Sequence, residues 1–408
     1  MSLIPADNPI AAVAGLFVIA AAGFLMEKTR IGALLTGAVW AIFLAIAASN
    51  LAIIPVFDLS EGIRFEGFAT LIPRETADGE TPPGYSFVFD NFVPILIPLF
   101  LMKADLKKIF FETTRTTLAF LLAALGTVIG AIVAFSLIDI GENEAAAAGT
   151  FTATYIGGSV NYAALVDLTG LREVDPSFVS SATAVDNLFS GFFLAMLALM
   201  PGWTWLAKHF VQRDHSEESA VEETQQATGS VSAASLMYSA AFALVVVVLG
   251  DFITSRMVEW WGEGAGNWRY AVITVLALVP ATAFPKTMDR LHGGYELGIG
   301  LSFVFFAAIA AGADVVGLVT SVPVLIAIIG VMLTVHGIVV FGLGSVLRLS
   351  LPELITASNA AILGATTAPA LAAAKGWKDL VTPGVLVGVF GYAIGTVIAT
   401  AVYQFWPS

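Results

Sequence analysis

The feature that most constrains this chain is a series of apolar blocks of about 20 residues, separated by polar segments. A helix of about 20 apolar residues crosses the roughly 30 Å hydrocarbon core of a bilayer. Only 12% of the 408 residues are charged and 58% are apolar, whereas ordinary soluble domains carry about 25% charged residues. This composition excludes a soluble globule, a disordered chain and a coiled coil. It predicts an all-α polytopic membrane protein.

Twelve apolar blocks are long enough to cross, although the third is short. Glycine and proline occur inside many of them, which membrane helices tolerate. The blocks are residues 9–26, 31–54, 91–103, 115–139, 145–168, 177–200, 235–254, 268–284, 295–313, 322–345, 353–374 and 380–405.

A polar stretch, 207–233, divides the blocks into two sets of six and predicts a linker. The flanking parts, 1–206 and 234–408, read as two repeats of one unit. FTAT at 151–154 matches ITAS 204 positions later, and Gly170-Leu-Arg matches Gly376-Trp-Lys at an offset of 206. Chance matching of membrane sequence rich in Ala and Gly is the alternative explanation. An internal repeat is a common construction of secondary transporters.

The distribution of Lys and Arg favours a topology in which blocks 145–168 and 353–374 are re-entrant hairpins. Each repeat then has five crossings, so the repeats are inverted, and 13 basic residues lie inside against 5 outside. If all twelve blocks cross, the division is 11 to 7. The positive-inside rule prefers the hairpins. It places the linker in the cytoplasm, with the loop 55–90 and both termini outside. Broken helices that cross fully are the alternative.

The two hairpin segments carry polar groups where lipid-facing polar groups would be costly. The first reads GTFTATYIGGSVNYAAL and the second ITASNAAILGATTAPAL. Central glycines permit an unwound tip, whose N–H groups suit an anion and whose carbonyls suit Na⁺. Packing of small residues is the alternative explanation. The predicted solute-binding residues are Thr152, Thr154, Gly157, Gly158, Ser159 and Asn161 in the first hairpin, and Thr356, Ser358, Asn359, Thr366 and Thr367 in the second.

Three further polar residues fall inside apolar blocks. Asp186, beside Asn187, lies near the middle of block 177–200, where a carboxylate needs a cavity, a cation or a proton. We expect this pair to bind a coupling cation, with a structural hydrogen bond as the alternative. His336 is a candidate proton relay, and satisfaction by a neighbouring carbonyl is an equal alternative. Asp167 and Glu353, at hairpin ends, are expected to cap helices or to lie at the surface.

Several classes of chemistry are excluded by the residues themselves. The chain has no Cys and four scattered His, so thiolate, zinc and haem sites are not expected. It has no phosphate-binding Walker loop, so ATP is not the energy source. The net charge of −13, concentrated in loops, argues against a nucleic-acid partner. We therefore expect no enzyme activity and no cofactor beyond a coupling ion, Na⁺ or H⁺.

The segments YIGGSVNYAAL, SNAAILGATTAPAL and GYAIGT resemble an uncharacterised bacterial integral-membrane family with chloroplast members in plants. That family resembles, more distantly, the superfamily of glutamate:sodium, 2-hydroxycarboxylate and bile-acid:sodium symporters and cation:proton antiporters. The resemblance implies an elevator-type transporter that forms a homodimer. Gly157 and Gly158 match the glycine pair of the first substrate loop, whereas the second loop has only Gly364. Asp186 and Asn187 match the antiporter acid pair loosely.

Together these features predict an ion-coupled, multi-pass transporter of the bacterial cytoplasmic membrane. The expected partners are the lipid bilayer, a cation and a small organic anion or amino-acid-like solute. One alternative is a cation:proton antiporter that uses Asp186, and another is a membrane subunit without transport activity.

Overall fold

The structure is a computed structural model that describes residues 2–29, 37–50, 55–58, 64–67, 71–73, 76, 81–107, 109, 113–216, 231–312 and 315–407. It is built almost wholly of helices, joined by short helical turns. In chain order the longer helices are α1 (Pro9–Glu27), α2 (Gly37–Asn50), α3 (Pro83–Leu101), α4 (Thr114–Leu137), α5 (Glu144–Thr169), α6 (Pro176–Leu199), α7 (Ala233–Trp261), α8 (Arg269–Ala283), α9 (Gly294–Ala311), α10 (Val315–Val346), α11 (Leu351–Leu363), α12 (Thr367–Ala374) and α13 (Val381–Gln404).

Each apolar block of the sequence contains helix in the described residues. Eight helical segments are long and apolar enough to cross a membrane; they belong to α1, α3, α4, α6, α7, α9, α10 and α13. The ten crossings that the sequence predicted include two more helices, α2 and α8, of 14 and 15 residues. At 1.5 Å per residue, the described parts of these two helices are shorter than a typical hydrocarbon core. The multi-pass membrane class is therefore confirmed, with eight candidate spans.

One departure from an all-helical chain lies in the polar excursion 55–90. Strands β1 (Pro55–Asp58) and β2 (Arg64–Gly67) pair antiparallel, with Val56 opposite Glu66. Most other residues of that loop before 81 lie outside the described residues. So do 31–36 and 51–54 of the second apolar block and 217–230 of the predicted linker.

The chain forms two compact units, and both draw on both halves of the sequence. The first unit consists of 1–93, 170–189 and 299–326, and the second of 94–169, 190–298 and 327–408. In the first unit, Tyr85 of α3 donates its hydroxyl proton to the Pro73 carbonyl over 2.6 Å. The second unit contains both predicted hairpin segments and helix α13.

Both hairpin segments are interrupted at a glycine with the same unusual backbone. Helix α5 is broken at Gly158, with φ 67° and ψ −171°. Helix α11 ends at Gly364, with φ 91° and ψ −171°, and α12 follows. This region of backbone space is essentially restricted to glycine. The two breaks are 206 positions apart, which is also the distance between the left-handed Gly170 and Gly376.

Helix α13 presents a face of four glycines to the two broken helices. A Cβ atom on Gly391 would lie 2.4 Å from the Ile156 carbonyl oxygen, and one on Gly388 would lie 2.4 Å from the Ala365 Cα. Gly395 and Gly384, one turn further along in each direction, approach α5 and the α11–α12 segment in the same way. Small residues let helix backbones approach closely. Helix α13 is thus the common support of both breaks.

Candidate functional site

The two helix breaks lie against the same aromatic ring, that of Tyr392 in α13. A Cβ atom on Gly158 would lie 3.6 Å from Tyr392 Cε1, and one on Gly364 would lie 3.0 Å from the Tyr392 hydroxyl oxygen. Tyr392 is itself buried. Both breaks therefore approach the same side chain, and the predicted binding of a solute by residues of the two segments stays a prediction.

An aromatic cluster surrounds the second break. The Ala365 backbone N–H donates to the Tyr392 hydroxyl at 3.4 Å. The Phe100 ring of α3 lies 5.2 Å from the ring of Tyr295 in α9 and 5.3 Å from that of Tyr392, between centroids. These contacts fix the Tyr392 ring between the two breaks.

Asn161 ties the first break to α13. Its side-chain amide donates to the carbonyls of Gly391 and Tyr392 at 3.2 and 3.3 Å, and it is fully buried. The Asn161 amide packs directly against Gly157, where a Cβ atom would overlap it. Ser159, just after the break, is half-buried.

In the second segment, Asn359 and Thr367 connect the two sides of the break. The Thr367 hydroxyl donates to the Asn359 side-chain oxygen at 2.7 Å. Asn359 is fully buried, Thr367 is half-buried and Thr366 is exposed. Counted from the two breaks, Asn161 and Thr367 occupy equivalent positions, and so do Thr152 and Ser358. These pairs are 206 positions apart, two more than the 204 positions between the matching sequence segments FTAT and ITAS.

Several buried polar atoms on these helices have no hydrogen-bond partner among the described residues. Buried polar atoms are nearly always paired with protein or water, so such a cluster is the kind of place where a polar ligand binds. Thr154, on the same helix and also buried, does have an interaction. The unpaired atoms on α5, α11 and α13 are the hydroxyls of Thr150, Thr152, Thr356, Thr396 and Thr400, the side-chain oxygen of Asn161 and the side-chain nitrogen of Asn359.

The predicted cation pair lies in the first compact unit, apart in the chain from both breaks. Asp186 is 5% exposed, inside the candidate span Phe178–Gly202. The Asn187 side chain is half-buried and donates to the Thr183 carbonyl at 2.8 Å. The side-chain amide of Asn187 thus already donates a hydrogen bond within its own helix. The cation-binding role of Asp186 and Asn187 stays a prediction.

His336 lies in α10 at 1% exposure and belongs to the unit that holds the breaks. Its ring nitrogens contact two hydroxyls, Nδ1 that of Thr127 at 3.0 Å and Nε2 that of Ser358 at 2.9 Å. The hydroxyl of the predicted solute-binding residue Ser358 is therefore engaged by protein.

Sequence reasoning missed Tyr392, Tyr295 and Thr127 as site residues. Tyr392 follows Gly391 in the GYAIGT segment, which offered a signal, because a tyrosine beside closely packed glycines can reach a helix break. Tyr295 and Thr127 stand in ordinary apolar surroundings in the sequence. Only the packing of α4 and α9 brings them to the broken helices.

Comparisons with known proteins agree with the membrane class. Residues 77–406 match a family described as a protein of unknown function, DUF819. The chain is also similar to the uncharacterized membrane protein YjcL of Bacillus subtilis (strain 168), with 32% identity over 344 residues. That alignment covers 80% of this chain and 84% of the Bacillus protein.

Proposed function

The chain belongs to the DUF819 family, and from that premise and the paired helix breaks we propose that it is an ion-coupled secondary transporter. In this proposal a small solute binds where the breaks at Gly158 and Gly364 meet around Tyr392. The family match and the apolar helices make the protein a multi-pass membrane protein. Transport is the function that this arrangement of broken helices supports best.

The observation that carries the proposal is the combination of broken backbone and unpaired polar atoms at membrane depth. Discontinuous helices are the usual way in which transporters bring backbone groups to a solute near the bilayer midplane. Thr152 and Thr356, buried on the two broken helices, have hydroxyls without a partner among the described residues. A solute that accepts and donates hydrogen bonds would satisfy both.

The chemistry of the two broken segments limits the class of solute. Hydroxyls, amides and glycine backbone dominate 150–161 and 356–367, and neither range contains an Arg or a Lys. A strongly charged dianion would lack a cationic side chain from these ranges. We therefore propose a neutral or zwitterionic solute, or a small organic anion whose charge is balanced by helix N–H groups and a coupling Na⁺.

The pairing of segments across the two halves supports an inverted-repeat, elevator-type mechanism. Both breaks have the same backbone conformation, and both compact units take segments from both halves of the chain. Interleaved repeats of this kind fit the more distant resemblance to sodium symporters. In this proposal the protein works as a homodimer in a bacterial cytoplasmic membrane.

A thermal-stability screen of the purified protein tests the proposal. Dicarboxylates, amino acids and dipeptides are added with Na⁺ or with K⁺, because a ligand that binds the folded state raises its melting temperature by mass action. We expect one class to stabilise the protein in Na⁺ more than in K⁺. Uptake of that solute into proteoliposomes under a Na⁺ gradient is the functional check, and failure of every class in both assays contradicts the proposal.

Two matched substitutions locate the solute within that screen. Thr356→Val keeps the shape and removes the unpaired hydroxyl, so it should weaken binding by about 1 kcal/mol. Thr274→Val in α8 removes another buried hydroxyl without a partner among the described residues and serves as the control. Equal loss of solute binding in both variants would place the solute elsewhere.

The buried carboxyl of Asp186 favours a second candidate, a cation:proton antiporter. A carboxyl at 5% exposure in a candidate span can exchange a proton for a cation. The antiporter predicts pH-dependent Na⁺ flux in proteoliposomes without organic solute, and loss of that flux in Asp186→Asn. In the symporter, the same substitution should remove the Na⁺ dependence of solute uptake.

A further inference from the structure

His336 lies in a hydrogen-bond chain that runs from one broken helix to the other. Its Nε2 contacts the hydroxyl of Ser358 in α11 at 2.9 Å, and its Nδ1 contacts the hydroxyl of Thr127 in α4 at 3.0 Å. The Thr127 hydroxyl in turn donates to the Tyr155 carbonyl of α5 over 3.0 Å. Tyr155 precedes the break at Gly158 by three residues, and Ser358 precedes Gly364 by six.

The direction of the chain follows from counting protons. A threonine hydroxyl has one proton, and a carbonyl can only accept. If the Thr127 proton goes to the Tyr155 carbonyl, the Nδ1 of His336 must carry the proton that Thr127 accepts. The Nε2 atom is then an acceptor, and the Ser358 hydroxyl donates to it. One neutral tautomer of the ring thus satisfies all three contacts.

The surroundings of the ring hold it in this position. The Phe193 ring packs edge-on, with centroids 5.8 Å apart and planes at 79°. Gly126 lets the backbones approach, because a Cβ there would lie 3.1 Å from the His336 carbonyl oxygen.

We propose that His336 is a positioning residue that couples the two helix breaks to each other. Hydrogen bonds in a buried chain polarise one another, so loss of the bond at Ser358 weakens the bond to Thr127. The order of the backbone before Gly158 therefore depends on the order of the segment before Gly364. Within the proposed function, on which this role in transport rests, a solute at one break is sensed at the other.

A double-mutant cycle between the two ends of the chain tests the coupling. Thr127→Val and Ser358→Ala each remove one hydroxyl and should each lower the melting temperature of the purified protein. We expect the double variant to lose less than the sum of the two single losses, because either substitution already weakens the bond that remains in the chain. Additive shifts in the double variant would overturn the proposal. Thr127→Ser, which keeps the hydroxyl, should restore the coupling.

The matched control uses another buried hydroxyl of the same helix. Thr117 of α4 donates to the Ile109 carbonyl over 2.9 Å, and its hydroxyl lies 3.0 Å from that of Thr113, away from the chain through His336. Thr117→Val combined with Ser358→Ala should therefore give additive shifts. Non-additivity of the same size in the control pair would mean that the coupling is a general property of the core and not of His336.

Two amide variants of His336 separate the arms of the chain. In a histidine site, Asn places an amide near Nδ1, and Gln places one near Nε2. We expect Ser358→Ala to lower the melting temperature further in His336→Gln but to have little additional effect in His336→Asn. A larger effect of Ser358→Ala in His336→Asn than in His336→Gln, or equal effects in both, would contradict the proposed hydrogen-bond chain. If neither variant folds, the double-mutant cycle of Thr127 and Ser358, in which His336 is unchanged, still tests the proposal.

These stability measurements require no solute, so the two proposals can fail separately. If the cycle shows coupling and no solute or ion flux is found, the positioning role stands and the transport proposal falls. If transport is found while the cycle is additive, transport stands and the coupling falls. With a solute in hand, Thr127→Val should weaken its binding even where the solute contacts only the second segment.

Discussion

At the scale of single residues, the two break glycines adopt a backbone conformation that other residues resist. At Gly158 and Gly364, φ is 67° and 91°, with ψ at −171° in both. A side chain strains this backbone, so we expect Gly158→Ala and Gly364→Ala each to cost about 1–3 kcal/mol of folding free energy. Gly330, helical and with open space around its missing Cβ, is the control. Its replacement by Ala should be neutral or slightly stabilising.

Chemical unfolding of the purified variants in a mild detergent provides the measurement. The strain is in the backbone, so it should persist even at Gly158, where an added Cβ would have room, its nearest neighbour lying 3.6 Å away. A Gly158→Ala protein as stable as Gly330→Ala would mean that the break relaxes into ordinary helix. The position would then not be held open by the fold.

At the scale of elements, a polar strap anchors the second broken helix at both of its ends. We define the strap as residues 208–216, the described start of the predicted linker. Its Arg213 forms an ion pair with buried Glu353 at 2.7 Å, and its His215 contacts the Asp379 carboxylate at 2.8 Å. Glu353 lies in the first turn of α11 and Asp379 just before α13. The strap therefore closes the base of the hairpin segment.

The contacts of the strap are structural in character. His215 lies between Asp379 and the Ser350 hydroxyl, in the order of an acid–base–nucleophile triad. Ser350, however, is fully buried, and its hydroxyl oxygen accepts the Glu353 backbone N–H, which makes it the N-cap of α11. Glu353 completes the capping box by accepting the Ser350 N–H, so its expected capping role is confirmed. The expected surface position is wrong, because Glu353 is buried.

Removal of one partner of the strap should destabilise the protein more than removal of an exposed ion pair. Arg213→Met leaves the carboxylate of Glu353 buried without its cation, so we expect a loss of roughly 1–3 kcal/mol. The control is Arg256→Met, since Arg256 and Glu259 form a pair that is about half exposed. Such pairs contribute at most about 1 kcal/mol. Equal losses in urea unfolding would contradict the anchoring role.

The elements themselves could be predicted from the sequence, because apolar blocks of helical length have one stable form in lipid. The two broken segments could also be predicted, since glycine and hydroxyls at membrane depth break the pattern. The start of α3 at Pro83 could not be predicted, because the polar residues Asp90 and Asn91 interrupt the apolar run in the sequence. In the structure both side chains are exposed on the helix. Contacts between distant helices, such as Thr127 with His336, depend on packing that no local pattern records.

At the scale of the whole molecule, the distribution of basic residues indicates which side of the membrane each loop occupies, and the fold alone does not. Basic residues concentrate at one set of helix ends, with 13 of 18 inside in the hairpin topology. The structure breaks both hairpin segments at a glycine, and neither segment is among the eight candidate spans found in the described residues. Both observations agree with segments that return to their own side. The eight candidate spans are four in each half, so an odd number of crossings in each half also requires α2 and α8 to cross.

Cysteine labelling in whole cells decides this topology, because the chain has no cysteine of its own. Val174, exposed just after the first hairpin segment, and Ser216, exposed in the strap, are the informative positions. If the first segment returns to its side, an impermeant maleimide should label Val174→Cys and leave Ser216→Cys unlabelled until the cells are opened. If that segment crosses instead, both positions change sides and the labelling pattern inverts. The positive-inside rule favours the first result, because it keeps both Lys208 and Arg213 in the cytoplasm and leaves only Arg172 of the three outside.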